Sequence, residues 1–251
     1  MTKTLSIACT LLLASSAAAA TLDEVLDCHY ATRGSLKNLK AVESARVTGT
    51  MTMGPMQAPF TMEFKRPDSV RLDFEIQGMT AVQAYDGEMG WAVMPFMGKT
   101  TPEEMAEDQL KDVQEMAEWD GPLVDWKEKG HAVELLGTET IEGTEAYALK
   151  VVRAGTEDAT TFYLDTEYCL PFLAKGTRDI QGNEMPFSQS IGDYKEVGDI
   201  VMSHSVISTF GEGAQAGQQA ITIETTEINV ADISEDRFAM PEMATEDESS
   251  E

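Results

Sequence analysis

The chain has 251 residues, with 44 Asp+Glu against 18 Lys+Arg and a formal charge of -26. A surface this acidic repels phosphate backbones and anionic membrane faces, which argues against a nucleic-acid partner and against electrostatic docking on a bilayer. With 42% hydrophobic residues the chain is too apolar to be disordered throughout, and three Cys cannot make a disulfide-dense scaffold.

Residues 1–20 have the form of a secretory leader. Lys3 supplies the positive n-region, Leu5 to Leu13 the short apolar run, and Ala18-Ala19-Ala20 a small-residue cleavage site. Cleavage is expected near Ala20, so that the mature chain starts at Thr21. Cys9 lies inside the apolar run, where lipidation is not expected. No later stretch approaches about 18 consecutive apolar residues, so no transmembrane helix is expected. Export places Cys28 and Cys169 in an oxidising compartment, where they can pair; the alternative is two separate buried thiols.

Thr21 to about Leu39 has helical periodicity. Thr21 and Glu24 form a capping-box pattern, and Gly34-Ser35 can split the helix in two. From Val42 the period changes to two. Arg46–Met53, Phe60–Phe64 and Val70–Ile76 alternate apolar with polar residues, the mark of half-buried antiparallel strands. Val82–Tyr85 and Gly90–Phe96 flank the turn dipeptide Asp86-Gly87. A helical insert is predicted near 102–120, with Ala106, Leu110, Val113 and Ala117 on one stripe and Glu103 and Glu104 in its first turn.

Strands resume at His131–Leu136 and continue to Gln219–Ile228, giving about eleven in all. No Pro/Gly/Ser-rich linker divides them, so residues 21–242 are expected to form one domain. The acidic end, 243–251, is expected to be disordered. Antiparallel strands joined in sequence predict one curved sheet, an unclosed barrel that the two amphipathic helices can cover.

Catalytic signatures are missing. The chain contains no G-x-S-x-G elbow, H-E-x-x-H, P-loop or G-x-G-x-x-G, and His29, His131 and His204 lie far apart in sequence. No enzymatic activity, metal site or cofactor is therefore expected. The methionines point elsewhere. Met51, Met53, Met56, Met62, Met79, Met89, Met94 and Met97 cluster in the first half, several on one face of their strand. Such flexible side chains suit a cavity for varied apolar ligands, although core filling accounts for any one of them.

Lys65-Arg66-Pro67, Tyr85-Asp86-Gly87 with Trp91, and Pro95-Phe96 together resemble the K-R-P … D-G-x-x-x-W … P-F pattern of LolA-type proteins, periplasmic carriers of outer-membrane lipoproteins. Phe238-Ala239-Met240-Pro241, after Asp232, is similar to that family's closing stretch. The resemblance implies an unclosed antiparallel barrel of the LolA/LolB kind, with helices as a lid and a periplasmic location. Its cavity would hold lipoprotein acyl chains or another lipid, and an inner- or outer-membrane partner would receive the cargo.

By the same resemblance, Arg66 helps hold the lid closed. Val70 replaces the family's aromatic four residues after that Arg. The acyl-binding face is then expected from Met51, Met53, Phe60, Met62, Phe64, Arg66, Val70, Leu72, Phe74 and Trp91. The acidic helical insert, with Leu135-Leu136-Gly137 and Glu142-Gly143 beyond it, is similar to the broader group of outer-membrane lipoprotein-sorting proteins. A non-enzymatic envelope sensor built on the same fold is the alternative, and a hydrolase with an unrecognised site ranks below both.

Overall fold

The structure, a computed structural model, describes residues 20–180, 183–211 and 216–242. The leader 1–19 and the acidic end 243–251 lie outside these. The first helix, α1 (Leu22–Thr32), begins where Thr21 caps it: the Thr21 amide donates to Glu24 Oε2 at 2.8 Å and the Glu24 amide to Thr21 Oγ1 at 3.3 Å. It ends at Gly34, which has φ +100°. A Cβ there would lie 2.1 Å from the Asp199 carbonyl oxygen, so only glycine fits the close approach. A five-residue helix, α2 (Leu36–Lys40), follows.

Thirteen strands follow among the described residues: β1 (Ser44–Met53), β2 (Met56–Lys65), β3 (Ser69–Ile76), β4 (Met79–Tyr85), β5 (Gly90–Met94), β6 (Lys99–Glu104), β7 (Ala132–Ile141), β8 (Thr144–Val152), β9 (Ala159–Asp165), β10 (Pro171–Ile180), β11 (Asn183–Val197), β12 (Ile200–Phe210) and β13 (Gly217–Ile228). The third helix, α3 (Glu107–Ala117), lies between β6 and β7. All strands belong to one sheet in the order β6-β5-β4-β3-β2-β1-β13-β12-β11-β10-β9-β8-β7. Every neighbouring pair is antiparallel.

This order has a simple consequence. The chain walks outward from β1 to the edge strand β6, crosses through residues 105–131, enters the opposite edge at β7, and walks back until β13 pairs with β1. The two edges are not hydrogen-bonded to one another, so the sheet is open. What the sequence shows as an insert is the link between the two edges.

The strand count exceeds the sequence expectation, and the helix begins later than expected. Residues Lys99–Glu104 form β6, with Trp91 opposite Glu104, and α3 starts only at Glu107. The free edge of β5 recruits this segment. Pro102 is tolerated because β6 is itself an edge strand, where one side of the backbone needs no ladder partner.

Strand register sorts the side chains into two faces. Val47 lies opposite Met62, which lies opposite Leu72; Ala45, Phe64 and Val70 form a second row, and Phe60 faces Phe74. This inner face meets α3, whose Val113 and Ala117 are buried against it with Leu110 and Met116 alongside. Farther round the sheet, Val25 and Leu26 of α1 pack on Leu149, Val151 and Leu164. A third cluster joins Leu39, Val42, Val124 and Ile200.

The other face of β1–β5 has its own row: Arg46 opposite Glu63, Glu63 opposite Arg71, and Trp91 beyond. The C-terminal segment covers it. Trp91 Nε1–H donates to the Phe238 carbonyl at 2.7 Å, and both residues are only 1% exposed. Glu63 accepts from Arg46 at 3.0 Å and from Arg237 at 2.9 Å.

Candidate lipid-binding face and its clamp

Most of the expected binding residues converge on one surface. Met51, Phe60, Phe64, Val70, Leu72 and Phe74 are buried in one inner-face cluster, and Met62 packs against it. Met53 sits at the end of β1, opposite Met56, and is not among the residues of that cluster. Trp91 is a correction. Register turns it to the outer face, beneath Phe238, so it cannot line a cavity on the inner one. Alternation within β5 decides this: Gly90 and Ala92 point inward, and the glycine lets α3 come close. A Cβ at Gly90 would lie 2.8 Å from Leu110 Cδ1.

α3 is held differently on its two sides. Toward β1–β5 it contributes the apolar stripe. Toward β8–β10 it presents carboxylates. Arg178 of β10 reaches Asp112 at 3.0 Å and also pairs with Glu115. Beyond the last turn, Glu118 accepts from Arg153 Nε at 2.9 Å and from His131 Nε2 at 2.6 Å. The Ala154 amide donates to His131 Nδ1 at 3.0 Å, so the ring proton is on Nε2 and points at Glu118. Burial pushes the Glu118 carboxyl up, but hydrogen bonds from Arg153 and His131, with Lys129 nearby, hold it below its ordinary value overall.

Arg66 lies where this connection meets α2. Its Nε donates to the Val42 carbonyl at 2.8 Å, its Nη2 to the Leu39 carbonyl at 3.1 Å and to Asp120 Oδ2 at 2.8 Å. The guanidinium also sits 5.9 Å from the centre of the Trp119 ring, within cation–π range. Asp120 is 2% exposed and also accepts from Lys129 Nζ at 3.1 Å, while its carbonyl accepts from Arg33 at 2.8 Å. Through its carboxylate and its main-chain carbonyl, Asp120 therefore gathers α1, α2, the end of β2 and the segment after α3. A cavity of about 380 Å3 opens beside it, lined by Arg66, Tyr85, Gln114, Trp119 and His131 among others.

Cys28 and Cys169 are joined by a disulfide with a Cα–Cα distance of 5.8 Å. It fastens α1 to the β9–β10 turn. His29 next to it is buried and donates Nδ1–H to the Cys169 carbonyl at 2.9 Å. Sequence reasoning missed Arg33, Asp120, Glu118, Arg153 and Arg178. In a chain with 44 acids, nothing marks Glu63 and Asp120 as the ones the fold buries.

No family model matches the chain, and no curated protein sequence matches it. Solved structures do. A LolA superfamily protein from Nitrosomonas europaea superposes with a TM-score of 0.60 at 12% identity, over 88% of this chain and 98% of the other. A DUF1329 family protein from Desulfovibrio piger gives 0.60 at 11%, over 87% and 97%. A protein described as an outer membrane lipoprotein-sorting domain, from Vibrio parahaemolyticus, gives 0.57 at 10%, over 86% and 94%. The fold is therefore LolA-like: an open antiparallel sheet whose inner face is covered by helices. Identities this low establish the fold alone.

Proposed function

We propose that this protein is an exported, periplasmic binding or carrier protein for the acyl chains of lipoproteins or of another lipid. One observation carries the reading: a Met- and Phe-rich inner face is covered by a single helix, and the far side of that helix is held by ion pairs rather than by packing. Each CH2 removed from water contributes about 0.8 kcal/mol, so an acyl chain laid on this face can replace the stripe of α3. Met51 and Met62 give the face a surface that re-packs around chains of different shape.

On the other side, the Arg178–Asp112 pair is exposed enough to break and re-form in water at little cost, while the less exposed Glu118 pairs anchor the end of the segment. Arg66 and Asp120 serve as the clamp that returns the covering segment to place. The likeness to a lipoprotein-sorting domain supports this direction, and a membrane-bound partner would take the cargo. No catalytic step is assigned to any residue.

Lipid extraction from protein purified out of its own periplasm tests the proposal. Acyl lipid recovered in near-stoichiometric amount is expected. Native mass spectrometry showing a ligand-free mass, together with no binding of an apolar fluorescent probe, contradicts it.

A further inference from the structure

A second cavity lies on the other half of the sheet. It measures about 180 Å3 and lies between α1, residues 119–123 and strands β9–β12. Phe162, Ile191, Met202 and Leu123 give it apolar walls, yet Arg33 opens into the same space. Arg33 Nη1 donates to the Asp120 carbonyl at 2.8 Å and Nε to the Val201 carbonyl at 3.3 Å. Both acceptors are uncharged.

Among the described residues no carboxylate is within ion-pair distance of Arg33, and its Nη2 makes no hydrogen bond. Asp120, whose carbonyl Arg33 holds, directs its carboxylate to Arg66 and Lys129. Two other polar groups on the wall are already engaged: His29 donates to the Cys169 carbonyl, and the Tyr194 hydroxyl to the Pro171 carbonyl. Desolvation pushes the Arg33 guanidinium below the ordinary arginine range, and Tyr194 and Asp120 only partly oppose it. A partly desolvated cation with no ion-pair partner is costly, and unusual in a chain carrying 44 acids.

We infer that this cavity binds an oxyanion carried on an apolar body, with Arg33 Nη2–H as the principal donor and Phe162, Ile191 and Met202 enclosing the first carbons. A guanidinium suits carboxylate and phosphate alike, because its fork matches two oxygens at once. The cavity holds roughly six water volumes, which is room for a headgroup and a few carbons but not for a whole acyl chain. It shares Trp119 and Asp120 with the clamp but lies on the other half of the sheet from the face beneath α3, and anion binding here is read without an acyl chain on that face.

Calorimetric titration of the processed chain with sodium hexanoate, dihexanoylphosphatidic acid and hexan-1-ol tests the inference. At least one anion is expected to bind roughly tenfold or more tighter than the alcohol, and Arg33→Gln to erase that preference. Whichever anion binds tighter identifies the source, a free acid or a lipid headgroup, and either supports the site. Met202→Trp fills the cavity while keeping the guanidinium, and is expected to abolish anion binding. Neither anion binding more tightly than hexanol, or a preference that survives Arg33→Gln, overturns it.

Discussion

Asp120 is the most exposed point of the account to experiment, although it is among the least exposed residues to water. Asp120→Asn keeps the size of the side chain and removes its charge. The native carboxylate faces Arg66 at 2.8 Å and Lys129 at 3.1 Å, and its side chain is 3% exposed. An amide can accept from only one of these cations and must turn its NH2 toward the other. Surface ion pairs are worth under about 1 kcal/mol, whereas removing one partner of a buried pair costs about 3–5 kcal/mol. Arg66 and Lys129 are only partly buried, which favours the lower end, about 3 kcal/mol.

For a domain of this size that corresponds to a fall in Tm of roughly 10 °C. Urea unfolding followed by Trp fluorescence reads the same change as a lower midpoint at constant slope. A double-mutant cycle with Arg66→Met separates the pair itself from the rest, and a coupling of about 2 kcal/mol is expected. A Tm within about 2 °C of the native value, or additive single effects, would refute the view that Asp120 holds these elements together.

Three further outcomes follow from the same structure. The Cys28–Cys169 bond spans a sequence separation of 141, and the chain-entropy relation then gives up to about 5 kcal/mol. Cys28→Ser with Cys169→Ser is therefore expected to lower the Tm by about 10 °C or more, and an unchanged Tm rejects that role. Burial, with Arg33 adding to it, pushes His29 down to about 4 from an ordinary value of 6.5. Below that ordinary value the unfolded chain binds a proton that the folded chain refuses. Stability should then fall by roughly 3 kcal/mol as pH drops from about 6.5 to about 4, and His29→Gln should flatten this slope in pH-dependent urea melts. Finally, Gly90→Val places a side chain against the ends of Leu110 and Met105, which must swing aside and loosen the seat of α3. An apolar fluorescent probe should bind this variant more readily than the native chain; weaker binding would argue that α3 does not cover the ligand face.

Much of this architecture was legible in the sequence because the residues carry its periods. Val47, Met51, Phe60, Phe64, Leu72 and Phe74 alternate strictly, and a period of two leaves only the choice of which face is inside. Thr21 and Glu24 marked the start of α1 by local chemistry alone. Where tertiary context competes with local pattern, the reading went astray. Lys99–Glu104 has the acidic, Pro-containing look of a helix start, but a free strand edge captured it.

Trp91 shows a different limit. A large aromatic in an apolar strand reads as core, yet this strand has apolar residues on both faces because the C-terminal segment covers the outer one. Nothing near Trp91 in sequence announces Phe238. The clamp was half visible: Arg66 stood out through its motif, whereas Asp120 is one of 44 acids and acquires its meaning only through Arg66, Lys129 and Arg33, which come from distant parts of the chain.

In the proposed function, α3 yields its place on the inner face to an acyl chain. Amide hydrogen exchange, with and without palmitoyl lysophosphatidylcholine, measures that exchange of partners directly. Faster exchange across Glu107–Ala117 is expected on ligand addition, together with slower exchange in β1 to β4. Unchanged protection of α3 while the lipid is demonstrably bound would contradict it.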